Sequence, residues 1–264
     1  MRERLWLGFR RSALLRRLYA IPIFLRPLRW LSLLLLPSGG TRPLRVRGGP
    51  GKGLVFELNP RWETAAWEGS YEQAAQECLQ KQLRAGYVFY DVGANFGFYS
   101  LLAARQGAHV FAFEPDVQNS ESLERHARQN SLSTRVEIIR AAVYSTSGSI
   151  DLEPASFQRG HGNAHVVAVD RSRPTVPVLC TTLDDFAREH VAPHVVKIDV
   201  EGAESEVLKG AEKVFAESRP HLICEVHDPA NASFVEGWLK DRRYDIRWLE
   251  GTDRLPRQLL ATPR

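Results

Sequence analysis

The chain reads as an α/β protein built on a doubly wound, mostly parallel sheet, preceded by a basic, helical N-terminal extension. Three observations carry that reading. Short apolar runs alternate with segments of helical periodicity from about residue 55 to residue 250, the pattern of successive βαβ units. The first strong run, Tyr87-Val88-Phe89-Tyr90, passes through Asp91-Val92-Gly93-Ala94-Asn95-Phe96-Gly97 into a helix. A glycine-bearing turn between strand and helix lets backbone N–H groups come close to a ligand. Finally, the unusual polar residues Asp91, Glu114, Asp199, Glu225 and His227 all fall at the C-terminal ends of expected strands, the edge where open α/β sheets bind ligands.

Composition fits a globular protein: 264 residues, 44% hydrophobic and 25% charged, enough chain to bury a core. The net charge of +4 conceals an asymmetry. Residues 1–50 hold eleven arginines against one acid, Glu3, whereas the rest carries 24 Lys/Arg against 30 Asp/Glu. The basic character therefore belongs to the extension, and the acidic body is not that of a nucleic-acid binder. Cys78, Cys180 and Cys224 are far apart and form no C-x-x-C pair. They read as buried thiols, and nothing calls for an oxidising compartment.

Residues 1–50 are read as extension and linker, and 51–264 as the functional domain. Arg26, Pro27 and Arg29 interrupt the apolar run, leaving Trp30–Leu36, far short of the about 20 residues that a spanning helix needs. Pro37-Ser38-Gly39-Gly40 is no signal-peptidase site. The expected location is the cytoplasm, with residues 1–36 making peripheral contact with the membrane face. The competing reading is a helical extension packed on its own domain or on a second subunit. Clean fractionation with the cytosol, unchanged by deleting residues 1–36, would decide for the latter.

In order, Gly39–Gly53 reads as linker and turns, Val55–Leu58 as a strand and Glu72–Arg84 as a helix. Trp67 and Tyr71 read first as core aromatics, with contact to a bound ligand as the alternative. Phe98–Arg105 follows the glycine turn as a helix. His109–Phe113 is the second strand of the body, stopped by Pro115, and Val117–Gln129 is the helix after it. Glu114 lies 23 residues beyond Asp91, about the interval at which an acid meets ribose hydroxyls in nucleotide-binding folds. Val136–Val143 is read as the third strand, and Ile150–Leu152 as a short one. Residues 153–175, with His161 and His165, read as a long polar loop. Val176–Cys180 is extended, and Thr182 opens a helix with Asp184 and Asp185 in its first turn. His194–Ile198 is the fourth main strand, Val207–Phe215 a helix, His221–Cys224 the fifth strand, Ala230–Lys240 a helix and Tyr244–Leu249 the sixth strand.

The body resembles the FkbM family of S-adenosylmethionine-dependent methyltransferases. The resemblance is carried by Tyr90-Asp91-Val92-Gly93-Ala94-Asn95-Phe96-Gly97-Phe98-Tyr99-Ser100, by Ala112-Phe113-Glu114-Pro115, by Thr181-Thr182-Leu183-Asp184-Asp185 and by Val196-Lys197-Ile198-Asp199-Val200-Glu201-Gly202-Ala203-Glu204. It implies a class I methyltransferase (Rossmann-like) fold with an antiparallel seventh strand beside the sixth, for which Arg254–Ala261 is the one weak candidate. It implies S-adenosyl-L-methionine as cofactor. Gly93, Asn95 and Gly97 would then form the turn around the cofactor's amino-acid part, with Asp91 orienting its amino group. Glu114 would hold the ribose hydroxyls, Ala141 and Ala142 would border the adenine, and Asp199 would sit near the sulfonium and the acceptor.

The expected reaction is O-methylation of a hydroxyl on a sugar, glycolipid or related metabolite, so the partner is a small-molecule, glycan or lipid-linked acceptor. The base is expected among His227, Asp199 and Glu225, with His227 first because its ordinary pKa lies nearest neutrality. No metal is expected, although Asp199, Glu225 and Asp228 are potential ligands. Two rivals remain: an NAD-type Rossmann oxidoreductase, and a non-catalytic, membrane-docked scaffold. Against the first, Asn95 stands where a dinucleotide fold wants the glycine that lets backbone approach a pyrophosphate.

Overall fold

The computed structural model describes residues 40–60, 62–153, 165–166, 175–249 and 254–264. The segment 1–36 expected at the membrane lies outside the described residues, as do His161 and the side chain of His165. Among the described residues no helix is long and apolar enough to cross a membrane.

The chain opens with β1 (Arg42–Arg45), which pairs antiparallel with β2 (Val55–Leu58). This corrects the linker reading of Gly39–Gly53. The alternation that was hidden among arginines puts Val46 into the core, and β2 buries Phe56 and Leu58 beside it. Two helices follow, α1 (Thr64–Glu68) and α2 (Gln73–Gln82).

The body alternates as expected: β3 (Val88–Val92), α3 (Phe98–Arg105), β4 (His109–Phe113), α4 (Val117–Gln129) and β5 (Val136–Ile139). Here the sequence reading of one strand over Val136–Val143 fails. The main sheet ends at Ile139, and β6 (Ala142–Val143) joins a second, smaller sheet with β7 (Gly148–Glu153), β8 (His165–Val166) and β9 (Val176–Thr181), in the order β6-β9-β7-β8.

Next come α5 (Leu183–Glu189), capped by Thr182 Oγ1 accepting from Asp185 N, and β10 (Val195–Ile198). The helix expected over Val207–Phe215 is split into α6 (Glu204–Lys209) and a π-helical segment, Val214–Ser218. Gly210 marks the break, where a Cβ would meet the carbonyl oxygen of Tyr144 at 2.3 Å. The chain closes with β11 (His221–Val226), α7 (Pro229–Asp241), β12 (Tyr244–Leu249) and β13 (Arg257–Pro263).

The seven-stranded sheet has the order β12-β13-β11-β10-β3-β4-β5. β11, β10, β3, β4 and β5 pair parallel, while β13 runs antiparallel to both β11 and β12. The weak seventh-strand candidate is thus real. It lies beside the sixth strand as the resemblance implied, and it also separates the sixth from the fifth.

Each face of the sheet has its own apolar layer. Val88, Tyr90 and Val92 of β3 point to one, and Phe89 points to the other with α2 and α3. That alternation carries Asp91 to the face of Phe89. The parallel register sets Lys197 opposite Asp91 and Ile223 opposite Lys197, so Asp91, Lys197, Asp199 and Glu225 emerge on one face at the C-terminal edge. The three cysteines are buried and free, and burial pushes each thiol up.

Candidate active site

A cleft with an empty volume of about 950 Å³, open to solvent, lies at that edge. Its first wall is the glycine turn. Gly93 has φ +80°, and a Cβ there would stand 1.8 Å from the carbonyl oxygen of Asp199. The glycine is needed so that the β3 and β10 turns can touch. Asn95 sits in the left-handed region at φ 51°, which Asn tolerates better than most residues. Its Oδ1 accepts from Phe96 N at 2.8 Å. Gly97, at φ +91°, caps α3 and packs on Leu123. It shapes the turn from behind and is not among the residues that line the cleft.

Glu114 is buried against this turn, one oxygen accepting from Asn95 N at 2.8 Å and the other from Asp116 N at 2.9 Å. Burial pushes its carboxyl up to about 7, against the pull of those two amides. A carboxylate has capacity for further donors, and Glu114 lines the cleft. Asp91 is 1% exposed, with Oδ2 accepting from Ser100 Oγ at 2.6 Å and Oδ1 left without a partner. Burial raises its pKa, Lys197 opposing. Ala142, Val143 and Leu152 close the far end, with Ala141 buried beside them and outside the lining.

The opposite wall is ionic. Asp199 Oδ2 accepts from Lys197 Nζ at 2.8 Å. Burial would lower the Lys197 pKa, but Asp199, Glu72 and Asp91 push it above its usual range. Its Nζ also lies 4.6 Å from the centre of the Tyr99 ring. Glu225 lines this wall. Burial first, then the charges of Asp199 and Glu72, raise its carboxyl to about 7.

His227 behaves otherwise than the sequence led us to expect. Its Nδ1 is 2.8 Å from Glu204 Oε1 and its Nε2 is 3.2 Å from Glu201 Oε2. Burial would lower its pKa, but Glu201 and Glu204 outweigh it and raise the imidazole to about 10. Held between those carboxylates the ring is favoured in its protonated form, and it stands behind Glu201 and Asp199 rather than among the residues that line the cleft. Asp228 is the N-cap of α7, accepting from Ala230 N and Asn231 N.

Ligand atoms of Asp199, Glu201 and His227, and of Glu72, Asp199 and Glu225, lie within 4.8 Å of one another. Lys197 Nζ is seated on Asp199 Oδ2, and the His227 nitrogens face Glu201 and Glu204. Sequence reasoning missed Glu72, Lys197 and Gln258, while Tyr71, read first as a core aromatic, lines the cleft. Lys197 had a visible signal, a lysine inside the apolar strand Val195-Val196-Lys197-Ile198. Glu72 and Gln258 are brought in from both ends of the chain.

A parallel sheet with an antiparallel strand between its last two, and a glycine turn facing an acid at the next strand end, defines a class I methyltransferase. The description "Methyltransferase FkbM domain" fits residues 91–246, and the chain belongs to that family of methyltransferases. It is 31% identical over 183 residues to a hexuronic acid methyltransferase, AglP, of Haloferax volcanii, covering 69% of this chain and 72% of that one. It is 26% identical to the methyltransferase sdnD of Sordaria araneosa, covering 59% and 73%. Among solved structures, methyltransferase FkbM of Methylobacillus flagellatus KT superposes with a TM-score of 0.51 at 19% identity. That match takes in 70% of this chain but half of the other protein, and it speaks for the fold alone.

Proposed function

We propose that the protein transfers a methyl group from S-adenosylmethionine to a hydroxyl of a sugar or a related hydroxyl-rich metabolite. One observation carries this reading. The glycine turn with its buried acids, Asp91 and Glu114, shares a single cleft with Glu225, a carboxyl raised to about 7. The cofactor suits the first wall. The unpartnered Asp91 Oδ1 is placed for a cationic amino group, and Glu114 retains acceptor capacity for ribose hydroxyls. The family and the name of the relative AglP support methyl transfer and a sugar-type acceptor.

When bound, S-adenosylmethionine supplies a methyl carbon already activated by its sulfonium, so the protein's main task is alignment. Asp199, fixed by Lys197, borders the place between cofactor and acceptor. Glu225 accepts the proton that the acceptor hydroxyl loses. Its raised pKa makes it a better base than an ordinary carboxylate while leaving it substantially ionised at neutral pH. His227 holds the Glu201–Glu204 turn behind Asp199.

Titration calorimetry with S-adenosylmethionine, S-adenosylhomocysteine and NADH tests the reading. We expect both adenosyl ligands to bind, and Asp91→Asn to weaken S-adenosylmethionine about 10-fold or more. Binding of NADH with neither adenosyl ligand would overturn it in favour of an oxidoreductase.

A further inference from the structure

Two residues on the acceptor side of the cleft lie apart from the family's glycine turn. Glu72, from the turn before α2, lines the cleft, and Gln258 of β13 stands behind the wall; both are outside residues 91–246. Glu72 Oε2 accepts from Tyr99 Oη at 2.7 Å and from Gln258 Nε2 at 2.6 Å. The same amide nitrogen donates to Glu225 Oε2 at 3.0 Å. One glutamine thus clasps two carboxylates, and Asp199 brings a third oxygen within 4.8 Å of theirs. Lys197, which lines the same cleft, is 2% exposed, with its Nζ on Asp199 and over the Tyr99 ring.

We propose that Glu72 and Glu225, held together by Gln258, form the acceptor subsite, and that it selects an uncharged, hydroxyl-rich acceptor over one that brings a carboxylate or phosphate to this wall. The inference rests on the methyl-transfer reading above. A hydroxyl carries a proton to donate, so a wall of carboxylate oxygens satisfies it. An anion at the same place meets two carboxylates, while the ammonium that would attract it is covered. At such separations a partly buried like-charge contact disfavours binding by about 100-fold or more. A hexuronic acid, the substrate class in the name of AglP, carries such an anion, so this chain should differ from that relative in acceptor.

The test uses the purified full chain, S-adenosylmethionine labelled with ¹³C in its methyl group, and a polar extract of source cells lacking the gene. Tandem mass spectrometry then locates the label within the product. Label in a neutral sugar or polyol unit is the expected result. Label in a unit bearing a carboxylate or phosphate would overturn the inference while leaving the methyl-transfer reading intact. No labelled product, from protein that binds S-adenosylmethionine, would overturn the methyl-transfer reading and this inference with it.

A second arm guards against a fortuitous fit. With the acceptor in hand, Glu72→Gln should shift the acidic limb of the pH–rate profile downward, because Glu225 loses a neighbouring charge. It should also reduce the preference for the neutral acceptor over its uronate counterpart by about 10-fold. Loss of stability without either change would reduce Glu72 to a structural role and sink the proposal.

Discussion

Glu225 and His227 are two residues apart at the end of β11, and their surroundings push them into opposite roles. Glu225 is raised to about 7 by burial and by Asp199 and Glu72, whereas His227 is raised to about 10 by Glu201 and Glu204. A base with a pKa near 7 gives a rate that falls as pH drops below neutrality. Glu225→Gln should lower kcat by about 100-fold or more and remove that limb, with S-adenosylmethionine binding unchanged. His227→Gln should leave the limb where it is, because the ring does not titrate in that range. Steady-state rates from pH 5.5 to 9 distinguish the two. A limb that vanishes with His227 instead would restore the histidine as base. The residue types were legible in the sequence, but the assignment was not. An ordinary pKa argues for His227, and only the packing of α6 against β11 brings Glu204 to its Nδ1.

At the scale of elements, the glycine turn is held from two sides. Glu114, at the end of β4, accepts from Asn95 N, while His126 of α4 reaches the next residue. His126 Nδ1 is 2.8 Å from Phe96 O, and its Nε2 accepts from Glu57 N at 2.9 Å. Because a carbonyl accepts, the proton sits on Nδ1, so the neutral ring bridges the cofactor turn to β2. Phe56 of β2 packs against Phe96, Phe98 and the His126 ring. The β1–β2 hairpin is therefore part of the turn's support. His126→Phe keeps the volume but leaves a buried N–H and a buried C=O without partners. It should cost about 2–4 kcal/mol in urea unfolding and weaken S-adenosylmethionine about 10-fold, with the acceptor KM little changed. Unaltered cofactor affinity would show that the turn does not depend on this bridge. The central strands were readable because each is a short apolar run between turn signals. The hairpin was not, because arginines and prolines in β1 mask its alternation, and the pairing that reveals it is non-local.

Across the whole molecule, the site draws on Glu72, Asp91, Glu114, Asp199, Glu225 and Gln258, which the strand order gathers at one edge. The four acids that end strands could be read from the sequence. Glu72 and Gln258 could not, since nothing local says that α2 and β13 flank the same cleft. The same gathering of charge gives the fold a pH dependence that can be signed. His227 has a folded pKa of about 10 against about 6.5 unfolded. Its contribution to stability is fully present below pH 6.5 and is lost as pH rises through 10. Between those values the folded chain holds the extra proton, so stability falls with rising pH, at most by about 1.4 kcal/mol per pH unit for one proton. Glu114 and Glu225, raised to about 7, add the same sign at lower pH, between their unfolded values near 4.5 and 7. Burial lowers the pKa of His126 and His221, which opposes them below 6.5, and the raised thiols of Cys78, Cys180 and Cys224 add the same sign as His227 once pH nears their unfolded values of about 8.5, so the clean window is about pH 7 to 8. Urea melts of the unliganded protein across that window should show a steady decline, and His227→Gln should flatten it. A wild-type profile that is level from about pH 7 to 8 would mean that His227 is not the protonated anchor of the Glu201–Glu204 turn.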